Sequence, residues 1–83
     1  MLQLNPSDPL DLTFALKKAM KLSGLSLTEI VEGLKQNYGV EITPSGLSHG
    51  INRGAIRLQR ALQILAICGV NEVEIIGVEK GRQ

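Results

Sequence analysis

The sequence predicts a small all-α domain of four to five helices, followed by a short C-terminal β-strand. Apolar residues recur at helical spacing through most of the chain, a glycine closes each helical segment, and the pattern becomes alternating near the end. The chain has 83 residues, of which 43% are hydrophobic. This is enough for one domain, spanning 1–83, with a single core.

The first two helices have explicit start signals. Asp8-Pro9 is expected to open helix 1 over about 9–23, with the aspartate as N-cap and the proline at the first helical position. The apolar stripe of this helix consists of Leu12, Leu16, Ala19 and Met20, with Phe14 beside it.

A capping box at Ser26–Glu29 opens helix 2 over about 26–37. We expect Ile30, Val31 and Leu34 to be buried, and Tyr38 to lie at the edge of that stripe.

Helix 3, over about 44–52, is the most informative segment. Thr43 is a good N-cap, Pro44 suits the first helical position, and Gly54 follows the predicted end. A helix this short must be docked on a core, here by Leu47 and Ile51.

The other face of helix 3 carries Ser45, Ser48, His49 and Asn52, with Arg53 at the flank. A small, polar, acid-free face is typical of a helix in the DNA major groove. A connecting helix with a solvated face, which usually carries Lys and Glu, is an equally open interpretation of this helix alone.

The last two elements are an apolar helix and a strand. Helix 4 is expected over about 56–68, and Gln63 is the only polar residue from Ala61 to Cys68. Such a helix is either the central one of a bundle or part of an oligomer interface. Residues 72–78 alternate and are rich in β-branched side chains, which predicts a strand. A lone strand needs a partner, so it is expected to pair with Leu2–Leu4, with a second subunit, or with both.

Charge is segregated along the chain although the net charge is only +1. No acid occurs from Leu12 to Thr28, where Lys17, Lys18 and Lys21 lie. No acid occurs from Ile42 to Asn71 either, where Arg53, Arg57 and Arg60 lie. Segregation of this kind can give a nearly neutral protein a positive face that binds phosphates, although short acid-free windows also arise by chance.

Chemistry other than binding finds little support in the sequence. His49 and Ser48 are neighbours on a helix and point away from each other, so they do not form a nucleophile–base pair. The single cysteine, Cys68, is expected to be buried and inert. Neither a metal-ligand spacing nor a phosphate loop is present, so we expect no enzyme, metal or cofactor. No signal peptide or membrane span is apparent, which predicts a cytoplasmic protein.

Taken together, these segments resemble the phage-repressor class of helix-turn-helix proteins, which includes Cro, lambda repressor, the XRE-type regulators and related antitoxins. The resemblance runs from about Leu12 to Val70, through the capping box, the Thr43–Gly54 segment and the apolar helix ending at Cys68-Gly69-Val70. It implies a lambda-repressor-like domain in which helix 3 is the recognition helix. Leu27 stands where the family usually has Gln, and about six extra residues lie between Val31 and Thr43.

The resemblance implies roles for individual residues. Ser45, Gly46, Ser48 and His49 would face base edges, Asn52 and Arg53 would lie at phosphates or the groove wall, and Thr28 would lie beside a phosphate. With the polar face of helix 3, this predicts a Cro-like regulator in which Asn52 also takes part in base reading. The predicted DNA-binding residues are Thr28, Thr43, Ser45, Gly46, Ser48, His49, Asn52, Arg53, Arg57, Lys17, Lys18, Lys21 and Arg60.

The expected partners are double-stranded DNA and a second copy of the chain. Ile64, Ile67 and the Val73–Val78 segment offer apolar surface for a homodimer with the tail at or near its interface. Two alternatives stay open. One is an antitoxin, which would bind a toxin through its tail, and the other is a protein-interaction module that has lost DNA binding.

Overall fold

A computed structural model describes residues 2–5 and 11–75. Within them the chain is mostly helical, with one small sheet, as predicted. The elements in chain order are β1 (Leu2–Leu4), α1 (Asp11–Ser23), α2 (Leu27–Tyr38), α3 (Pro44–Asn52), α4 (Leu58–Ile67) and β2 (Val73–Ile75). The predicted start of helix 1 at Asp8-Pro9 and the predicted strand residues 76–78 lie outside the described residues.

Local signals place the ends of the helices close to their predicted positions. The capping box at α2 is complete, because the Ser26 hydroxyl accepts from the Glu29 N–H and the Glu29 carboxylate accepts from the Ser26 N–H. Thr43 caps α3 and Pro44 begins it. Gly54, with φ of 67°, lies in the left-handed region just beyond α3, as its position predicts.

The start of α4 differs from the prediction. Arg57 is the N-cap in an extended conformation, and the helix begins at Leu58 rather than at Ile56. Ile56 instead belongs to the link between α3 and α4 and packs against the core. Its side chain occupies the space beside Gly50, where an added Cβ would come within 2.9 Å of the Ile56 Cδ1 atom. The tertiary contact therefore keeps Ile56 out of the helix.

The core lies among all four helices. Leu16 of α1, Ile30 and Leu34 of α2, Leu47 of α3 and Ile64 of α4 have at most 1% of their surface exposed. Val40 and Ile42 of the link between α2 and α3 pack against this cluster. Leu27 packs there too, so the residue that replaces the usual glutamine contributes to the core.

The two strands form a parallel pair. Leu2 lies opposite Val73, Gln3 opposite Glu74 and Leu4 opposite Ile75. The Gln3 amide also donates a hydrogen bond of 2.8 Å to the Glu74 carboxylate. Of the pairings left open by the sequence, the structure shows the one with the N-terminal segment.

The exposed apolar surface differs from the expected one. Ile64 is fully buried among the helices of the same chain, so the prediction that it contributes to an interface is wrong. Ile67 is half-buried and packs against the core. Within residues 2–5 and 11–75, the large apolar side chains that are exposed are Phe14, Leu22, Tyr38, Leu58, Leu62, Val73 and Ile75. No helix in the described part of the chain is long and apolar enough to cross a membrane.

Candidate functional site

The outer face of α3 is an uncharged or basic surface held by two buried anchors. Leu47 is fully buried and Ile51 is 3% exposed, so one side of the helix is fixed on the core. Ser45, His49 and Asn52 lie on the opposite side and are exposed, with Arg53 at the C-cap. The sequence pattern predicted this division, except that Ser48 is half-buried at the edge of the face.

Two hydrogen bonds join candidate residues of α3 and its N-cap. The Asn52 side-chain amide donates to the Ser48 hydroxyl, with an Nδ2–Oγ distance of 3.3 Å. This bond restrains Asn52 at the exposed end of the helix. The Thr43 hydroxyl accepts from the Gly46 N–H at 3.0 Å, so Thr43 already serves as the N-cap of α3.

The two glycines in α3 have different surroundings. Gly46 is exposed, and an added Cβ would lie 3.0 Å from the Thr43 hydroxyl oxygen, so the glycine leaves room for the cap. Gly50 faces Ile56 of the link before α4. Gly50 therefore determines how closely that link follows α3.

A cleft brings the two arginines of the α4 region together. It has a volume of about 590 Å³ and is bounded by residues 39–42 of the link between α2 and α3, by residues 55–57 and by the start of α4. Arg57 and Arg60 both line it, and so does Glu41. Arg57 is exposed. Arg60 is half-buried, and its Nε atom is buried without a hydrogen-bond partner among the described residues.

The start of α4 adds to the positive potential of this cleft. Arg57, its N-cap, makes no side-chain capping hydrogen bond. The first N–H groups of a helix favour negatively charged groups such as phosphate. The cleft thus combines two guanidinium groups with a helix N-terminus, and among the described residues that line it only Glu41 opposes an anion.

The three lysines of α1 do not share one surface. Lys17 lies one turn after Thr13, and the Thr13 hydroxyl is 3.6 Å from the position a Cβ would take on Gly54. Lys17 is therefore on the flank of α1 near the end of α3. Lys18 lines a separate groove together with Asp11 and Glu72. Lys21 is exposed near the end of α1, and Thr28 is exposed in the first turn of α2.

Sequence reasoning missed two features of this region. The Ser48–Asn52 bond has a recognisable signal, because polar side chains four residues apart on a helix are neighbours. The position of Glu41 in the same cleft as Arg57 and Arg60 has no signal in the sequence, since it depends on how two links pack against each other.

Two titratable side chains are perturbed by their surroundings. The hydrogen bond from the Ser26 backbone N–H lowers the pKa of the Glu29 carboxyl, and the Ser26 hydroxyl lowers it further. Partial burial raises the pKa of the Cys68 thiol, against a smaller opposing effect of the Ser23 hydroxyl. Cys68 is half-buried rather than fully buried as expected. No group of three or more His, Cys, Asp or Glu side chains within residues 2–5 and 11–75 could hold a metal ion.

A family model described as a domain of unknown function (DUF6471) matches residues 12–73. The chain belongs to this family. The match extends from the second residue of α1 to the first residue of β2, so it covers the four-helix unit and its candidate site. No curated protein and no solved structure matches the chain. The resemblance to phage-repressor proteins therefore stays a prediction.

Proposed function

We propose that this protein is a cytoplasmic, sequence-specific DNA-binding regulator with a lambda-repressor-like helix-turn-helix arrangement, in which α3 reads the major groove. The outer face of α3 is the observation that carries the proposal. Leu47 and Ile51 anchor the helix, while hydroxyl, imidazole and amide groups remain exposed and no carboxylate lies on it. Side chains of these types form hydrogen bonds to base edges.

Base reading is assigned to Ser45, His49 and Asn52, with Ser48 positioning the last of these. Gly46 lies in the first turn of α3, is exposed and has no side chain. The backbone of α3 can therefore approach the floor of the major groove at this position. The dimer proposed with this function would place two α3 helices about one turn of DNA apart on a roughly palindromic site.

Phosphate binding is assigned to five basic side chains and to the Thr28 hydroxyl. Arg57 and Arg60 line the cleft at the start of α4, and Arg53 ends α3. Lys17, Lys21 and Thr28 are exposed and complete the set, whereas Lys18 belongs to the groove on another flank of α1. Contacts of this kind supply affinity and salt dependence without sequence preference.

Titration of a labelled random duplex at low salt tests the proposal directly. We expect binding at micromolar protein, weakening steeply as salt is raised. Selection from a random duplex library should then enrich one site with approximate two-fold symmetry. If neither titration nor selection detects binding, the family fold serves another purpose, and a protein-interaction module becomes the better description.

A further inference from the structure

The flank of α1 away from Thr13 carries an exposed groove of about 800 Å³. It lies between α1 and the segment from Cys68 to Glu72. Phe14 is 59% exposed and Leu22 is 77% exposed along it. Lys18 lies midway between them, so the three side chains follow one line on the helix. Exposed apolar surface with a polar rim is typical of an interaction site.

Among the described residues, two of the three charged side chains that line this groove, Asp11 and Lys18, are placed to pair across a symmetric contact, and the third is Glu72. Asp11 and Lys18 both line it, seven residues apart on the same face of α1, with Phe14 between them. If the α1 helices of two copies packed antiparallel on this face, Lys18 of each copy would lie opposite Asp11 of the other. The dimer would then contain two such pairs. In the same register Phe14 of each copy meets Ala15 of the other. A two-fold interface requires self-complementarity of this kind.

We propose that the groove is covered by a second copy of this chain, through an antiparallel α1–α1 contact. The exposed Phe14 of each copy enters the groove of the other, and two Lys18–Asp11 pairs fix the register. This surface takes the place of Ile64, which the fold buries. Thr13, on the opposite flank, lies beside Gly54 at the end of α3. Both α3 helices therefore stay exposed in this dimer.

Sedimentation equilibrium on the full chain tests the interface without reference to DNA. We expect a dimer at about 100 micromolar for the unmodified protein. Phe14→Asp should be monomeric, because it places a carboxylate in the apolar centre of the contact. Leu58→Asp is the matched control, since Leu58 is 63% exposed but lies on α4. It should remain dimeric, and circular dichroism should show both variants folded.

Charge reversal tests the register itself. Lys18→Glu places two glutamates opposite Asp11, and Asp11→Lys places two lysines opposite Lys18, so each variant alone should dimerise at least about tenfold more weakly. An equimolar mixture of the two variants restores both opposite-charge pairs. We therefore expect heterodimers in the mixture although neither component dimerises well by itself.

Three results would overturn the proposal. A monomeric unmodified chain at that concentration would show that a second copy does not cover the groove. A dimer unaffected by Phe14→Asp, or lost with Leu58→Asp, would place the interface elsewhere. Charge-reversed variants that fail to combine would exclude the antiparallel register.

Discussion

The side chains of Ser48 and Asn52 are joined by a hydrogen bond of 3.3 Å across one turn of α3. Because the Ser48 hydroxyl accepts one amide hydrogen of Asn52, the other amide hydrogen and the carbonyl oxygen remain to pair with a base. An asparagine amide presented in this way matches the N7 and N6 groups of adenine. The proposed function then predicts which positions of a binding site depend on α3.

Asn52→Ala should erode the preference for the selected site by about 1–3 kcal/mol. Ser48→Ala should reproduce part of that loss, because Asn52 remains but is no longer restrained. Gln36→Ala, at an exposed amide on α2, is the control and should change nothing. Fluorescence anisotropy on the selected and random duplexes measures the preference. If Ser48→Ala behaves like Gln36→Ala, the hydrogen bond does not position Asn52.

Substitutions of Arg57 and Glu41, which line the cleft at the start of α4, should change the affinity for DNA in opposite directions. Each should do so for every DNA sequence. Arg57→Ala should weaken binding to every duplex and reduce the salt slope by about one. Glu41→Gln removes the carboxylate that lines the same cleft, so it should tighten binding to every duplex, by up to about fivefold. Titrations on random DNA over a range of salt compare the two. Equal effects of both substitutions would show that phosphates bind elsewhere.

The sequence was most informative where the signals are local. Thr43, Pro44 and Gly54 predicted the ends of α3 because caps and left-handed glycines act within one turn. The start of α4 could not be predicted in the same way, since it depends on the contact between Ile56 and Gly50. These residues are near in sequence, but only the packed fold shows that the contact stops the helix short of Ile56.

The exposed faces were harder to predict than the elements. On α4, residues 61–68 are apolar almost all round, so periodicity does not reveal that Ile64 and Ile67 face inward while Leu62 faces outward. The outer face of α3 was easier, because polar and apolar residues alternate there at helical spacing. Glu41 and Arg57 line one cleft because the link between α2 and α3 packs against the link between α3 and α4. That packing has no local signal in the sequence.

The close packing of α2 on α4 depends on Gly33. An added Cβ would lie 3.2 Å from both the Cδ1 and Cγ2 atoms of Ile67. Gly33→Ala should gain about 1 kcal/mol from helix propensity but lose about 1–3 kcal/mol to overpacking, for a net loss of roughly 1 kcal/mol. In an Ile67→Ala background the same substitution should stabilise by about 1 kcal/mol, since only the propensity gain remains. Urea unfolding of the four proteins measures this, and the same sign in both backgrounds would contradict it.

The capping box of α2 should make stability fall in acid. Hydrogen bonds from Ser26 lower the pKa of the Glu29 carboxyl below its ordinary value of 4.5. A carboxyl whose pKa is lower in the folded state than in the unfolded state contributes stability above the unfolded pKa. That contribution is lost as the pH falls through the folded pKa.

Glu29→Gln should therefore flatten the dependence of unfolding free energy on pH below about pH 5, because glutamine can still complete a capping box but does not titrate. Glu32→Gln is the matched control, since it removes a carboxylate from the same helix and leaves the capping box intact. Urea unfolding from pH 7 down to about pH 3 provides the comparison. If the Glu29→Gln curve keeps the slope of the unmodified protein, the Ser26–Glu29 hydrogen bonds do not hold the carboxylate in solution. The N-terminus of α2 would then depend on the Ser26 hydroxyl alone.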